Sequence, residues 1–171
     1  MHRTIKMGMG IAASLLLAGE AFAADVKVTG VHNCCPGCTM NITETLTKAG
    51  ATNVKVEKQE ISFTSDTPAP VLRALYAAGY AGKVEGDGVR QPGIRRNLAD
   101  VKGKSLKFEG IHACCGACVA GINKALAPLG KTDIKAKATS FTVTSENEIS
   151  ADQVVKALRD AGFNARPAAQ Q

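Results

Sequence analysis

The stretch Val26-Lys-Val-Thr-Gly-Val-His-Asn-Cys-Cys-Pro-Gly-Cys38 returns as Leu106-Lys-Phe-Glu-Gly-Ile-His-Ala-Cys-Cys-Gly-Ala-Cys118, at an offset of 80. Over 26–50 against 106–130, nine of 25 positions are identical. They include the histidine and all three cysteines of each copy, and the closing Gly50 and Gly130. Farther on, Ala78-Gly79-Tyr80 matches Ala161-Gly162-Phe163 at an offset of 83, so three extra residues enter the second copy before its last helix. Self-similarity at a near-constant offset marks a duplicated folding unit.

Each copy reads alike. Val26 and Val28, or Leu106 and Phe108, alternate with polar residues as in a half-buried strand. A loop then carries the cysteines. Ile42, Leu46 and Ala49, or Val119, Ile122, Leu126 and Leu129, recur at helical spacing, with Gly50 and Gly130 as expected stops. Two more alternating strands follow, Val54 and Val56 then Ile61 and Phe63, or Ile134 and Ala136 then Phe141 and Val143. A second helix buries Val71, Leu72, Leu75 and Ala78 after Pro68 and Pro70. Its counterpart starts near Ser150, where Gln153 completes a capping box, and buries Val154, Val155, Leu158 and Ala161. A short strand closes each copy. The order β-α-β-β-α-β predicts an α+β protein of two tandem ferredoxin-like domains. The expected boundaries are 24–85 and 104–171, joined by a glycine-containing linker over 86–103.

What precedes the repeats reads as a secretory signal over 1–23. Arg3 and Lys6 lead an apolar run from Met7 to Ala18, and Ala21-Phe22-Ala23 offers small residues to a signal peptidase. The run is short for a bilayer, so no stable membrane insertion is expected after cleavage, and the protein is expected to be periplasmic or otherwise exported. Of the 171 residues 45% are apolar, 21% charged and 4% aromatic, which is ordinary globular composition. The net charge of +6 is scattered singly apart from Arg95-Arg96, and no basic–aromatic interleaving suggests a nucleic-acid partner.

The chemistry is concentrated. All six cysteines lie in the two loops, and the two histidines outside the leader each stand two residues before a Cys pair. In His-x-Cys-Cys-x-x-Cys the last Cys falls in the first turn of a helix, whose free N–H groups and positive dipole end favour thiolate over thiol. Candidate ligands are His32, Cys34, Cys35 and Cys38 in one copy and His112, Cys114, Cys115 and Cys118 in the other. Three sulfurs suit Cu(I), whereas adding the imidazole makes a Cys₃His set suited to Zn²⁺. The histidines can equally serve as neighbours of the site or pack the loop. Met40 reads as a partly buried packing residue, and Tyr80 and Phe163 as core residues beside the site.

Strand, loop, Cys-x-x-Cys and helix, closed by Ala-Gly-Tyr or Ala-Gly-Phe, resemble the heavy-metal-associated domain of copper chaperones, of metal-pumping P-type ATPases and of periplasmic mercury-binding proteins. The signal peptide makes the exported, mercury-type members the nearer comparison. The resemblance implies that Cys35, Cys38, Cys115 and Cys118 are metal ligands, with Tyr80 and Phe163 beside the site. The chain departs from that pattern in Asn33 and Ala113, where the family has Met, and in Cys34 and Cys114, where it has a non-Cys residue.

The expected function is therefore that of an exported metal binder rather than an enzyme. It would hold one thiophilic ion per domain, Cu(I), Hg(II), Zn(II) or Cd(II). It would scavenge the ion or pass it by thiolate exchange to a membrane metal transporter. A thiol–disulfide oxidoreductase using the Cys-x-x-Cys pairs is the enzymatic alternative, and a structural disulfide the inert one.

Overall fold

The structure, a computed structural model, describes residues 23–94 and 96–168. The leader read over 1–23 lies outside the described residues except for Ala23. The first copy runs β1 (Ala24–Thr29), α1 (Pro36–Lys48), β2 (Thr52–Glu57), β3 (Glu60–Ser65), α2 (Pro68–Ala77) and β4 (Lys83–Glu85). A short 3-10 turn at Arg96–Asp100 leads into β5 (Lys102–Glu109). The second copy continues with α3 (Gly116–Leu126), β6 (Lys131–Thr132), β7 (Ser140–Ser150), α4 (Ala151–Asp160) and β8 (Arg166–Pro167).

Both sheets are four-stranded and antiparallel, ordered β2-β3-β1-β4 and β6-β7-β5-β8. The α+β, ferredoxin-like expectation holds for both copies. The alternation has the expected consequence: Val26 pairs with Phe63 and Val28 with Ile61, and all four are buried. In the second sheet Leu106 pairs with Val143, and Phe108 with Phe141, whose rings stack at 5.5 Å. Against these faces α1 and α2 lay Ile42, Leu46, Leu72 and Leu75, and α3 and α4 lay Ile122, Leu126, Val155 and Leu158.

Three local expectations are corrected. Ile134 and Ala136 do not form a strand; β6 is only Lys131–Thr132. The chain leaves the sheet where the Asp133 carboxylate takes the Thr142 N–H at 2.6 Å, and the following turn donates the Lys137 N–H to Ala113 O beside the cysteine loop. Ile134 still inserts into the core. Gly130 does not stop α3, which ends at Leu126: Pro128 two residues on has no N–H to continue the ladder, and the Leu129 and Gly130 N–H groups both turn back to Leu126 O. Gly130 is instead required by close packing, since a Cβ there would overlap the Thr144 carbonyl. Met40 is 72% exposed rather than partly buried: α1 buries Cys38, Ile42 and Leu46 along one face, and Met40 lies well off it.

Gly50 does end α1 as expected. It takes φ +93°, and the next N–H, of Ala51, returns to Leu46 O at 3.0 Å. At the head of α4, the Ser150 N–H and hydroxyl both reach Gln153 Oε1 at 2.9 Å.

The two copies face each other through their site ends. Tyr80 and Phe163 form an antiparallel bridge, flanked by Ala81 N–H to Gly162 O at 3.1 Å and Asn164 N–H to Gly79 O at 2.8 Å. These two bonds are equivalent positions of the repeats, so the seam has a pseudo-twofold axis. Asn164 Nδ2 also donates to Tyr76 O at 2.8 Å, and Arg159 lies 4.8 Å over the Tyr76 ring. Arg159 spends its guanidinium on Asn164 Oδ1 and Pro92 O, which ties the stretch after β4 to the second copy.

Candidate metal centre

Each Cys-x-x-Cys straddles a helix start. Cys35 and Cys115 are the N-cap residues of α1 and α3, in extended conformation, and Cys38 and Cys118 are the third residues of those helices. Pro36 follows the first cap, where its missing N–H costs nothing. Gly30 and Gly110, both at φ near +75°, turn the chain out of β1 and β5 into the loops.

Because the copies meet at this end, the loops do not make separate sites. Cys34 Sγ lies 3.5 Å from both Cys115 and Cys118, and Cys35 lies 3.6 Å from Cys114. Cys38 lies 3.5 Å from Cys114 and 4.0 Å from Cys118. Contacts within a loop are no shorter: Cys35 to Cys38 is 3.7 Å and Cys115 to Cys118 is 3.9 Å. The expectation of one ion site per domain is thereby corrected. One Cys/His cluster spans both domains, because the Tyr80–Phe163 seam presses the two loops together.

The histidines cross the seam. His32 of the first copy stacks on Phe163 of the second at 4.2 Å, and the His112 ring of the second lies tilted against Tyr80 of the first at 4.6 Å. His112 Nε2 lies 3.7 Å from Cys38 Sγ and completes a set with Cys114 and Cys118. His32 groups with Cys34 and Cys118. Its Nε2 is buried with no hydrogen-bond partner, which fits a nitrogen awaiting a metal. Two further sets are Cys34, Cys35 and Cys38, and Cys35, Cys114 and Cys115. All eight residues singled out in the sequence thus meet in one place.

The environment is graded. Cys38 and Cys118 are buried at the centre, and Cys34 is exposed at the rim. Although Cys34 is exposed on its outer side, loss of water around its sulfur pushes the thiol well up, reinforced by the thiols of Cys118 and Cys115, and Cys114 is raised by burial and by Cys38. Cys115 goes the other way. The Cys118 amide at the helix start, with the Cys34 thiol, brings it down to about 6. Burial lowers the pKa of both imidazoles, and His32 lowers that of His112 further, so both are neutral near pH 7 and able to ligate. All six cysteines are free thiols. The donor set is soft, sulfur-rich and nearly devoid of oxygen, as thiophilic ions require.

The sequence reading did not single out Gly79 and Gly162. Both have positive φ, and a Cβ on either would overlap the backbone amide of the opposite histidine, His112 or His32. Their signal was present in the recurring Ala-Gly-aromatic triplet, of which only the aromatic residue was given a place, in the core beside the site.

No protein-family model matches the chain, and no curated protein matches it. Among solved structures it is similar to the ligand-free regulatory subunit of aspartate kinase from Thermus thermophilus. The two share 18% identity over 81% of this chain and 88% of that one, with a TM-score of 0.30.

Proposed function

We propose that the protein is an exported carrier of thiophilic metal ions, of the heavy-metal-associated kind, and not an enzyme. The carrying observation is the convergence of six thiols and two neutral imidazoles from two repeats on one cluster. Structural cysteines have no reason to assemble unbonded around one point, and the unpartnered His32 Nε2 adds a donor. Cu(I), Hg(II), Zn(II) and Cd(II) all suit these donors. Loading and release proceed by ligand exchange. The rim thiol Cys34, or Cys115 as thiolate, meets the incoming ion, and the buried Cys38 and Cys118 retain it. A membrane transporter presenting its own thiolates is the natural recipient.

One feature favours a second reading, a thiol–disulfide oxidoreductase: Cys115 caps a helix, whose amides with the Cys34 thiol hold its pKa down to about 6. Native mass spectrometry of the reduced chain with competing metals separates the two. A carrier retains metal when reduced, loses it on oxidation and regains it with reductant. A reduced chain that holds no metal but turns over disulfide substrates would replace this reading with the second.

A further inference from the structure

Each of the six sulfurs has four others around it and one opposite. Cys34 has Cys38, Cys115 and Cys118 at 3.5–3.8 Å, with Cys35 within 4.8 Å. Cys114 has Cys35, Cys38 and Cys118 at 3.5–3.6 Å, with Cys115 within 4.8 Å. The ring is closed by Cys35–Cys38 at 3.7 Å, Cys115–Cys118 at 3.9 Å, Cys38–Cys118 at 4.0 Å, and Cys35–Cys115 within 4.8 Å. The opposite pairs are Cys34 and Cys114, Cys35 and Cys118, and Cys38 and Cys115. Six points with this adjacency are the corners of an octahedron.

Four triangular faces of that octahedron touch only at corners: Cys34-Cys35-Cys38, Cys34-Cys115-Cys118, Cys35-Cys114-Cys115 and Cys38-Cys114-Cys118. Each sulfur belongs to two of them. In Cys34-Cys115-Cys118 and Cys38-Cys114-Cys118 the sulfurs stand 3.5–4.0 Å apart, so a metal in their plane lies about 2.1 Å from each, near the ~2.3 Å of a metal–thiolate bond; the edges Cys34–Cys35, Cys35–Cys115 and Cys114–Cys115 of the other two faces lie within 4.8 Å. The geometry points to a polynuclear cargo: four Cu(I) ions, one on each of these faces, bridged by all six thiolates. Cu(I) is satisfied by three sulfurs, whereas Zn(II) and Cd(II) seek four donors. Among the described residues the histidines reach two places, His112 as a fourth donor at Cys38-Cys114-Cys118 and His32 as a third at the Cys34–Cys118 edge, so those ions stop at two. Each cysteine still protonated releases its proton as four Cu(I) enter, and no electron moves. The charge of two thiolates is left over, on a chain of net charge +6.

This inference rests on the metal-carrier reading and is separable from it. The test is an anaerobic titration of the reduced, leader-free chain with Cu(I), followed by native mass spectrometry and by the visible emission of Cu(I)–thiolate clusters. The expected result is four Cu(I) per chain, filled cooperatively with emission rising in step, against no more than two Zn(II). Saturation at one or two Cu(I) would overturn the cluster and leave the carrier standing. No Cu(I) or Zn(II) bound would overturn both. In Cys34→Ser, two of the four faces lose a corner. Filling should then stop short of four with the emission diminished, and a variant still holding four would equally overturn the cluster.

Discussion

Cys34 and Cys115 lie 3.5 Å apart at the rim of the cluster, yet they differ in character. Cys115 caps a helix and faces its amides, whereas Cys34 is hemmed by thiols and desolvated. The depressed thiol is ionised above about pH 6, and the raised one stays protonated. In the metal-free, reduced chain at neutral pH, iodoacetamide should therefore modify Cys115 well before Cys34 or Cys114. Peptide mapping at short times checks this, and equal labelling of the three would mean that the helix terminus does not set reactivity here. Half of that order was legible in the sequence, since the helix start that lowers Cys115 is a matter of motif spacing. The raising of Cys34 by Cys118 and Cys115, and of Cys114 by Cys38, was not, because those thiols stand across the seam.

Between the second helix and the last strand of each copy, the Gly-aromatic element decides whether the loops meet. Gly162 has φ +84°, and a Cβ on it would overlap His32 N and Gly30 O of the other copy. Gly162→Ala should destabilise the chain by roughly 1–3 kcal/mol through backbone strain and the lost approach. It should also lower metal affinity while leaving all eight donors in place. Denaturant unfolding and metal competition measure the two effects. Unchanged affinity would show that the seam does not assemble the site. The helices themselves were readable from spacing, since Ile42 and Leu46, or Ile122 and Leu126, fall where 3.6 residues per turn requires. The ends were less so: Gly130 resembled a helix stop, but Pro128 had already ended α3.

At the scale of the molecule, one cluster replaces two sites. With independent sites, exchanging Cys115 and Cys118 for Ser would leave the first copy's capacity intact. Here those sulfurs are neighbours of Cys34 and Cys38, so the double variant C115S/C118S should lose more than half of the bound metal, read by elemental analysis after desalting. Retention of half would favour separate sites. The crossed histidines also link the seam to pH. Burial lowers both imidazole pKa values in the folded chain, so the unfolded chain takes up more protons as pH falls through about 6.5. Stability of the metal-free protein is therefore full above that range and falls below it. Urea midpoints should drop between about pH 7.5 and pH 5.5, and the drop should shrink in the variant H32F/H112F. An equal drop in that variant would place the titration elsewhere.

The two repeats, their β-α-β-β-α-β order and the eight cysteines and histidines that meet were legible in the chain alone. These follow from local periodicity and from motif spacing, which the chain carries in short windows. The tertiary structure alone decided that the eight residues belong to one centre. It set His32 against Phe163 and His112 against Tyr80, and put Cys34 beside Cys118. Those contacts join residues 131, 32 and 84 positions apart in the chain. No spacing within either repeat encodes them; they arise because Gly79 and Gly162 lack side chains and let the two backbones close on each other.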